Sequence, residues 1–138
     1  MSSKQQQTGM RGVYLAAAEI SSRGFIVSPT SRSARGADLL VTDQACKRAF
    51  SVQVKTSGRP STFWLVGAHA RRLKSPSHVY VFIQLKDDDR PPEYFVVPSR
   101  VVAKRVQTDR RPESTWYSFP RRHAVKYRNR WRTFGKPA

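Results

Sequence analysis

The stretch that decides the fold is Gly36-Ala37-Asp38-Leu39-Leu40, followed a short distance later by Ser51-Val52-Gln53-Val54-Lys55-Thr56. The first segment begins at an acid and becomes apolar, which is typical of a strand that enters a core. In the second segment apolar and polar residues alternate, so one face is apolar and the other polar. The polar residues 42–48 between them can turn. The pattern predicts an antiparallel hairpin.

In such a hairpin Asp38, Gln53 and Lys55 converge at one end of the sheet. A carboxylate and an amide oxygen are ligands for a hard divalent cation. An ammonium group beside them suits a phosphate that approaches the metal. The residues themselves therefore suggest a metal site that faces a phosphate.

Charge is the strongest global signal. The chain has 138 residues, which fits one domain, and it carries 26 Lys and Arg against nine Asp and Glu, a net charge of +17. A domain this basic most often binds a polyanion, with nucleic acid as the first candidate and an anionic membrane surface as the second. The plain alternative is a surface that only confers solubility.

The cysteine and hydropathy patterns bear on location. Cys46 is the only cysteine, so no disulfide can form within the chain, which suits a reducing, cytoplasmic setting. No apolar run is long enough to span a bilayer, and the N-terminus lacks the apolar core of a signal peptide. We therefore expect a cytoplasmic protein that does not enter a membrane.

Periodicity and breakers predict an alternation of helices and strands. The predicted elements are a helix after residue 8 that stops at 24, strands 25–29 and 62–66, a short helix within 67–74, strands 78–85 and 93–97, and a helix from 99. Residues 78–85 are apolar on both faces, as in a covered central strand. Glu19 lies in the first helix, and taken alone it fits an acid on the solvent face.

Residues 114–138 contain seven Lys and Arg, no acid, and interleaved aromatic rings. Cations beside rings are typical of nucleic-acid binding. The alternative is that the rings belong to the core and the cations line the solvent side. The polar loop with Arg32 and Arg35 is likewise either a solvated loop or a phosphate clamp just before Asp38.

Other familiar chemistries lack support. The three histidines have no cysteine partners at zinc spacing, and neither a Walker loop nor a dinucleotide fingerprint occurs. The acids 87–89 fit a hairpin tip. This leaves Glu19, Asp38, Gln53 and Lys55 as the group with coherent roles.

The order of these motifs resembles the PD-(D/E)XK, or restriction-endonuclease-like, nuclease superfamily. The N-terminal half resembles archaeal-type Holliday junction resolvases, in which a helix glutamate precedes a "GF-x-V" strand, here Gly24-Phe25-Ile26-Val27, and a Ser/Arg/Gly loop leads to the Asp. The chain is also similar to small uncharacterised bacterial proteins that carry "SPTSR…GADLLVTD…VQVKT". The match covers roughly residues 9–66.

The resemblance implies an α/β, restriction-endonuclease-like core with a mixed central sheet flanked by helices, in αβββ…αβ order. On this basis we divide the chain into a flexible N-terminus at 1–8, a nuclease-like core at 9–113, and a basic aromatic segment at 114–138. The implied activity is metal-dependent hydrolysis of DNA phosphodiester bonds, selective for junctions or branches.

The resemblance also assigns roles at the site. Asp38 would hold Mg²⁺ or Mn²⁺, with the Gln53 side-chain oxygen and the Val54 carbonyl, while Glu19 would ligate through water. Lys55 would orient the attacking water and offset developing charge. The residues expected to bind nucleic acid are Arg32, Ser33, Arg35, Arg71, Arg72, Arg121, Arg122, Lys126, Arg128 and Arg130. Because the resolvases act as dimers, the resemblance also raises the possibility of a homodimer.

Two departures from the family pattern keep other functions open. The usual Pro-Asp is Ala37-Asp38, and the usual acid of the last motif is Gln53, which removes one negative charge from a magnesium site. A DNA endonuclease is therefore weighed against a nucleic-acid-binding module on the same fold that cleaves weakly or not at all. A third reading is a basic adaptor for acidic protein or ribosomal RNA.

Overall fold

The structure is a computed structural model that describes residues 2–31 and 36–138. The described part of the chain contains these strands: β1 (Ile26–Pro29), β2 (Leu39–Thr42), β3 (Ala49–Ser57), β4 (Phe63–Val66), β5 (His78–Gln84), β6 (Glu93–Pro98), β7 (Gln107–Arg110) and β8 (Thr115–Pro120). Its α-helices are α1 (Ser3–Ser22), α2 (Ser99–Arg105) and the single turn α3 (Arg121–Ala124). Short 3-10 helices lie at Ala68–Arg71, Val125–Tyr127 and Trp131–Phe134.

The central sheet has five strands in the order β1-β2-β3-β5-β6. The pair β3–β5 is parallel and the other pairs are antiparallel, so the sheet is mixed. The antiparallel β2–β3 hairpin confirms the prediction made from Asp38 and the alternating Val52 and Val54. Every residue of β5 is buried, as expected of a covered central strand.

A second sheet of three strands, in the order β4-β8-β7, was only partly foreseen. The sequence predicts β4 but neither β7 nor β8. All four residues of β7 are exposed and none is apolar, so this strand has no period-2 hydrophobic signal. The second sheet packs its buried Trp64 and Phe119 against the central sheet.

Helix α1 begins earlier than its sequence suggests. Ser2 Oγ accepts a hydrogen bond from the Gln5 amide at 3.1 Å, and Gln5 Oε1 accepts one from the Ser2 amide at 3.0 Å. This reciprocal pair is a capping box, which satisfies two amides at the start of the helix. The helix therefore starts at Ser3 rather than after Thr8, and residues 3–8 are helical.

Two hydrophobic clusters cover the two faces of the central sheet. On one face α1 packs Ala16 and Ile20 against the β3 residues Val52 and Val54. On the other face α2, the second sheet and α3 pack against β5 and β6, with Tyr80 at the centre. Gln53 and Lys55, which alternate with Val52 and Val54 along β3, therefore lie on the face opposite α1.

The C-terminal residues 114–138 contribute to both clusters. Trp131 and Phe134 are buried in the cluster on the α1 side, and Phe119 is buried in the other. Trp116 is exposed. Three of the aromatic rings thus belong to the core, as one of the two readings of this segment expected.

Helix α1 and β3 approach closely at Gly12, where a Cβ atom would overlap the side chain of Thr56. Gly9, one turn earlier, has open space around the position of a Cβ. The two glycines therefore form a matched pair, alike in backbone but different in surroundings.

We expect Gly12→Ala to lower the free energy of unfolding by about 1–2 kcal/mol, because overpacking against Thr56 outweighs the gain in helix propensity. Gly9→Ala, the control, should raise it by about 0.5–1 kcal/mol. Urea denaturation of both variants measures this difference. Equal stabilisation by both would contradict the close helix–strand contact.

A buried carboxylate ties the C-terminal segment to β6. Glu93 lies 2.9 Å from Lys86 Nζ and 3.0 Å from both Arg121 Nη2 and Arg128 Nη1. Burial alone would raise the pKa of Glu93, but hydrogen bonds and charge from Lys86 and Arg121 outweigh it, and the pKa is lowered.

Because its pKa is lowered on folding, Glu93 stabilises the protein above the ordinary glutamate pKa of about 4.3, and this contribution disappears as the pH falls through the folded pKa. We expect Glu93→Gln to cost about 2 kcal/mol at pH 7, since three cations lose their anion. Urea denaturation should show the gap to the parent protein closing as the pH falls below the ordinary glutamate pKa of about 4.3. A gap independent of pH would exclude this network as its cause.

Candidate functional site

The site is built around the point where β2 and β3 separate, which we call the fork. The β2–β3 ladder ends with Leu39 opposite Val52, while β3 continues to Ser57 beside β5 alone. Just before β2, the Asp38 amide donates to Val52 O at 2.7 Å. The Val54 amide then donates to Asp38 Oδ2, also at 2.7 Å. The carboxylate of Asp38 thus takes the place that a carbonyl of β2 would otherwise hold.

Gln53 and Lys55 share the face of β3 that is turned away from α1. In the parallel register Gln53 lies beside Tyr80 and Lys55 beside Phe82, and both β5 residues belong to the cluster opposite α1. The two peptide groups that Asp38 contacts, those of Val52 and Val54, flank Gln53. The fork therefore gathers Asp38, Gln53 and Lys55, and their role as a catalytic group stays a prediction.

The charges of Asp38 and Lys55 interact. Burial lowers the pKa of Lys55, and the nearby Asp38 carboxylate works in the opposite direction by favouring the ammonium form. The pKa of Lys55 is lowered overall. A partly buried ammonium held beside a single carboxylate is suited to interact with a second anion that arrives at the fork.

His69 is a member of the site that the sequence did not identify. Its Nε2 lies 3.4 Å from Gln53 Oε1, and its ring packs over Gly67, where a Cβ would come within 2.6 Å of the ring. The imidazole therefore contacts the Gln53 amide and restricts its orientation. His69 lies in a 3-10 helix at the end of a short strand, a place where no periodic pattern marks its direction.

A buried polar group lies next to Gln53 on β5. Ser51 Oγ and His78 Nδ1 are 2.7 Å apart. Within residues 2–31 and 36–138, His78 Nε2 and Tyr80 Oη are buried without a hydrogen-bond partner. Burial lowers the pKa of His78, aided by His69, and raises the pKa of Tyr80 to about 12. Both side chains are thus neutral near pH 7, and they add no charge to the fork.

Glu19 is not brought to this group. It lies on α1, which packs on the face of the sheet opposite Gln53 and Lys55, and it pairs with Arg23 at 3.5 Å. Its charge acts on Tyr94 of β6, at the other edge of the sheet from β2. The structure therefore gathers three of the four expected side chains and places Glu19 elsewhere.

Without Glu19, the site offers few protein ligands to a magnesium-type ion. In the described part of the chain no three His, Cys, Asp or Glu side chains cluster as metal ligands. Asp38 has its second carboxylate oxygen outside the bond to Val54, and Gln53 supplies an amide oxygen. Mg²⁺ commonly keeps several waters and takes one or two carboxylates plus substrate phosphates. One carboxylate and one amide oxygen are compatible with this coordination preference of Mg²⁺.

The cations expected to bind nucleic acid fall into distinct environments. Arg121 and Arg128 pair with Glu93, so part of their charge is balanced within the molecule. Arg71 lies 4.9 Å from the ring centre of Tyr117, and Arg130 lies 5.4 Å from that of Tyr127. Arg72, Arg122 and Lys126 are exposed, and so is Arg128 despite its ion pair.

The loop cations cannot be placed in the same way. Arg32, Ser33 and Arg35 lie outside the described residues, and their expected contact with phosphates stays a prediction.

Among the helices of the described chain, none is long and apolar enough to cross a bilayer.

Comparison with known proteins gives matches at the level of structure alone. No family model matches the chain, and no curated protein resembles it in sequence. The fold is similar to that of the bacterial homing endonuclease I-Ssp6803I, with a TM-score of 0.57 and 19% identity over 94% of this chain and 88% of the other. It is also similar to the Holliday junction resolvase Hjc of Archaeoglobus fulgidus, with a TM-score of 0.51 and 10% identity over 86% of this chain and 88% of that one.

One similar structure is a homing endonuclease and the other a Holliday junction resolvase, and each match covers most of the chain. The predicted α/β architecture, a mixed sheet flanked by helices, is confirmed. The chain therefore has the restriction-endonuclease-like fold.

Proposed function

We propose that the protein is a divalent-metal-dependent DNA endonuclease that hydrolyses phosphodiester bonds at the fork. The observation that carries this proposal is the placement of the Asp38 carboxylate, locked by the Val54 amide, beside the Lys55 ammonium. The fold, shared with a homing endonuclease and a junction resolvase, supports the same reaction class.

The roles follow from the chemistry of each side chain. Asp38 and Gln53 would hold Mg²⁺ or Mn²⁺, and the bound metal would supply Lewis-acid polarisation of the phosphate. Lys55 stabilises negative charge on the phosphate oxygens as it builds up in the transition state. His69 keeps the Gln53 amide in place, so it acts through Gln53 rather than on the substrate.

Charge supports a polyanionic substrate. The net charge of +17 favours nucleic acid, and a long polymer extends beyond the fork to the exposed cations. Selectivity for junctions or branches belongs to the same proposal. It is tested by offering a four-way junction beside a linear duplex of the same sequence.

We expect Asp38→Asn to reduce the rate of cleavage of a labelled duplex or junction by at least about 10²-fold in Mg²⁺ or Mn²⁺. Binding of the same DNA should persist, because the change removes a negative charge and leaves every cation. Asp109→Asn is the matched control, since Asp109 is an exposed acid on β7 that pairs with Arg111. Cleavage that survives Asp38→Asn in pure protein would refute the proposed centre.

The electrostatic coupling at the fork can be tested without any activity. We expect Asp38→Asn to lower the pKa of Lys55 further, because the carboxylate is the charge that favours its ammonium form. NMR titration of the lysine Cε signals measures this, with the exposed Lys47 as an internal control. An unchanged Lys55 pKa would mean that the two side chains are not neighbours.

The second candidate, a nucleic-acid-binding module that does not cleave, is favoured by the sparse acid content of the fork. Asp38 is the only carboxylate that the described structure brings there, since Glu19 lies on the far face and Gln53 is uncharged. Such a site would bind a divalent cation weakly.

Gln53→Glu separates the two candidates. If the protein is an endonuclease with a weak metal site, the added carboxylate should lower the Mg²⁺ concentration needed for half-maximal cleavage by about tenfold. Gln53→Leu is the control that keeps size and removes the ligand. Absence of cleavage in the parent protein and in Gln53→Glu, with intact DNA binding, would favour the module.

A further inference from the structure

A concentrated patch of positive charge lies away from the fork, in a pocket of about 460 Å³ between α2, α3 and the turn that follows α3. Five cations line it, namely Arg100, Lys104, Arg105, Arg122 and Lys126. Val101, His123 and Tyr127 complete the lining. We call this feature the basic pocket.

None of the nine acidic residues of the chain lines the basic pocket. By contrast, the buried carboxylate of Glu93 forms ion pairs with three cations. The cations of the pocket instead face one another, and such mutual repulsion raises the free energy of the empty pocket. Burial lowers the pKa of His123, and the charges of Arg122, Arg105 and Lys126 lower it further.

We propose that the basic pocket is a phosphate-binding site, which takes successive phosphates of a polynucleotide backbone or the phosphates of a small oligophosphate. Arginine forks bind phosphate oxygens in pairs, and lysines add point charge. A concave surface lined by one sign of charge focuses the potential and concentrates the opposite ion. Five cations in one concavity exceed what a single phosphate monoanion would neutralise, so the ligand carries several negative charges.

The basic pocket and the fork belong to the same side of the central sheet. Helix α2 packs on the cluster opposite α1 through Val102, and Gln53 and Lys55 project to that side as well. Ser99 at the start of α2 is joined to Ser75 by two hydrogen bonds of 2.8 and 2.9 Å. The 3-10 helix with His69 contacts α2, so it connects the two regions.

The first experiment titrates His123 by NMR in the full chain without divalent metal. Phosphate binding replaces repulsion with attraction for the imidazolium, so the pKa of His123 should rise by roughly one pH unit or more with a twelve-nucleotide thymidine strand or with sodium tripolyphosphate. Sodium chloride at equal ionic strength is the control for screening. His78, buried on β5, is the internal reference. No rise with either phosphate compound beyond the chloride control would overturn the proposal.

The second experiment compares two charge-matched double variants in duplex binding. Arg105→Gln with Lys126→Gln removes two cations of the pocket, whereas Lys47→Gln with Lys136→Gln removes two exposed cations elsewhere. If the pocket holds phosphates, the pocket variant should make the log–log salt slope shallower by about 2, and the control should leave it unchanged. Equal weakening by both variants, with no His123 response, would reduce the effect to net charge and overturn the site.

The outcomes also identify the source of the phosphate. A His123 response to the strand together with the slope change supports a polynucleotide ligand. A response to tripolyphosphate alone, with an unchanged duplex slope, supports a small oligophosphate. The proposal does not depend on cleavage, because both experiments omit the metal and leave Asp38 unaltered. Loss of cleavage in Asp38→Asn with an intact His123 response therefore separates the fork from the pocket.

Discussion

The bond from the Val54 amide to the Asp38 carboxylate is the constraint on which the site depends. Where β2 leaves β3, the amide of Val54 loses the carbonyl that a continuing ladder would offer, and a buried amide without a partner is costly. The carboxylate satisfies that amide. The same contact fixes a negative charge at the edge of the sheet, and period 2 along β3 then places Gln53 and Lys55 on one face beside it. A structural requirement of the sheet thus positions the chemistry.

The parts of the fold that could be predicted are those with a clear period. The alternation of apolar and polar residues in β3 predicts the hairpin and the shared face of Gln53 and Lys55. The apolar run of residues 78–85 predicts the central strand β5. The expectation that Glu19 joins the other three side chains is not met, and the reason is geometric. Helical spacing shows which residues of α1 face the core, but not which face of the sheet receives the helix, and Glu19 lies across the sheet from Lys55. His69, in a single 3-10 turn, and the exposed β7 carried no periodic signal at all.

The C-terminal segment shows why a count of cations is a poor guide to a binding surface. Arg121 and Arg128 are close in sequence to Arg122 and Lys126, yet the first two are balanced by Glu93 and the last two line a pocket that holds no acid. Arg121 and Arg122 differ because neighbouring residues of the α3 turn point in different directions, while Lys126 lies in the 3-10 helix that follows and Arg128 comes just after it. Charge that is available to a ligand is therefore set by three-dimensional pairing.

The difference between paired and unpaired cations also bears on position 53, where an amide stands in place of the family's usual carboxylate. On the proposed function, the fork alone holds one anion beside one cation, so a divalent ion gains little when it enters an empty site. The phosphate of a bound nucleic acid would supply the negative charge that Gln53 lacks, and the cations outside the fork would hold that phosphate polymer in place. Metal binding and substrate binding would then strengthen each other, since each ligand stabilises the site for the other. On this proposal, a chain with a net charge of +17 would tolerate an amide at this position because a bound polyanion would complete the metal site.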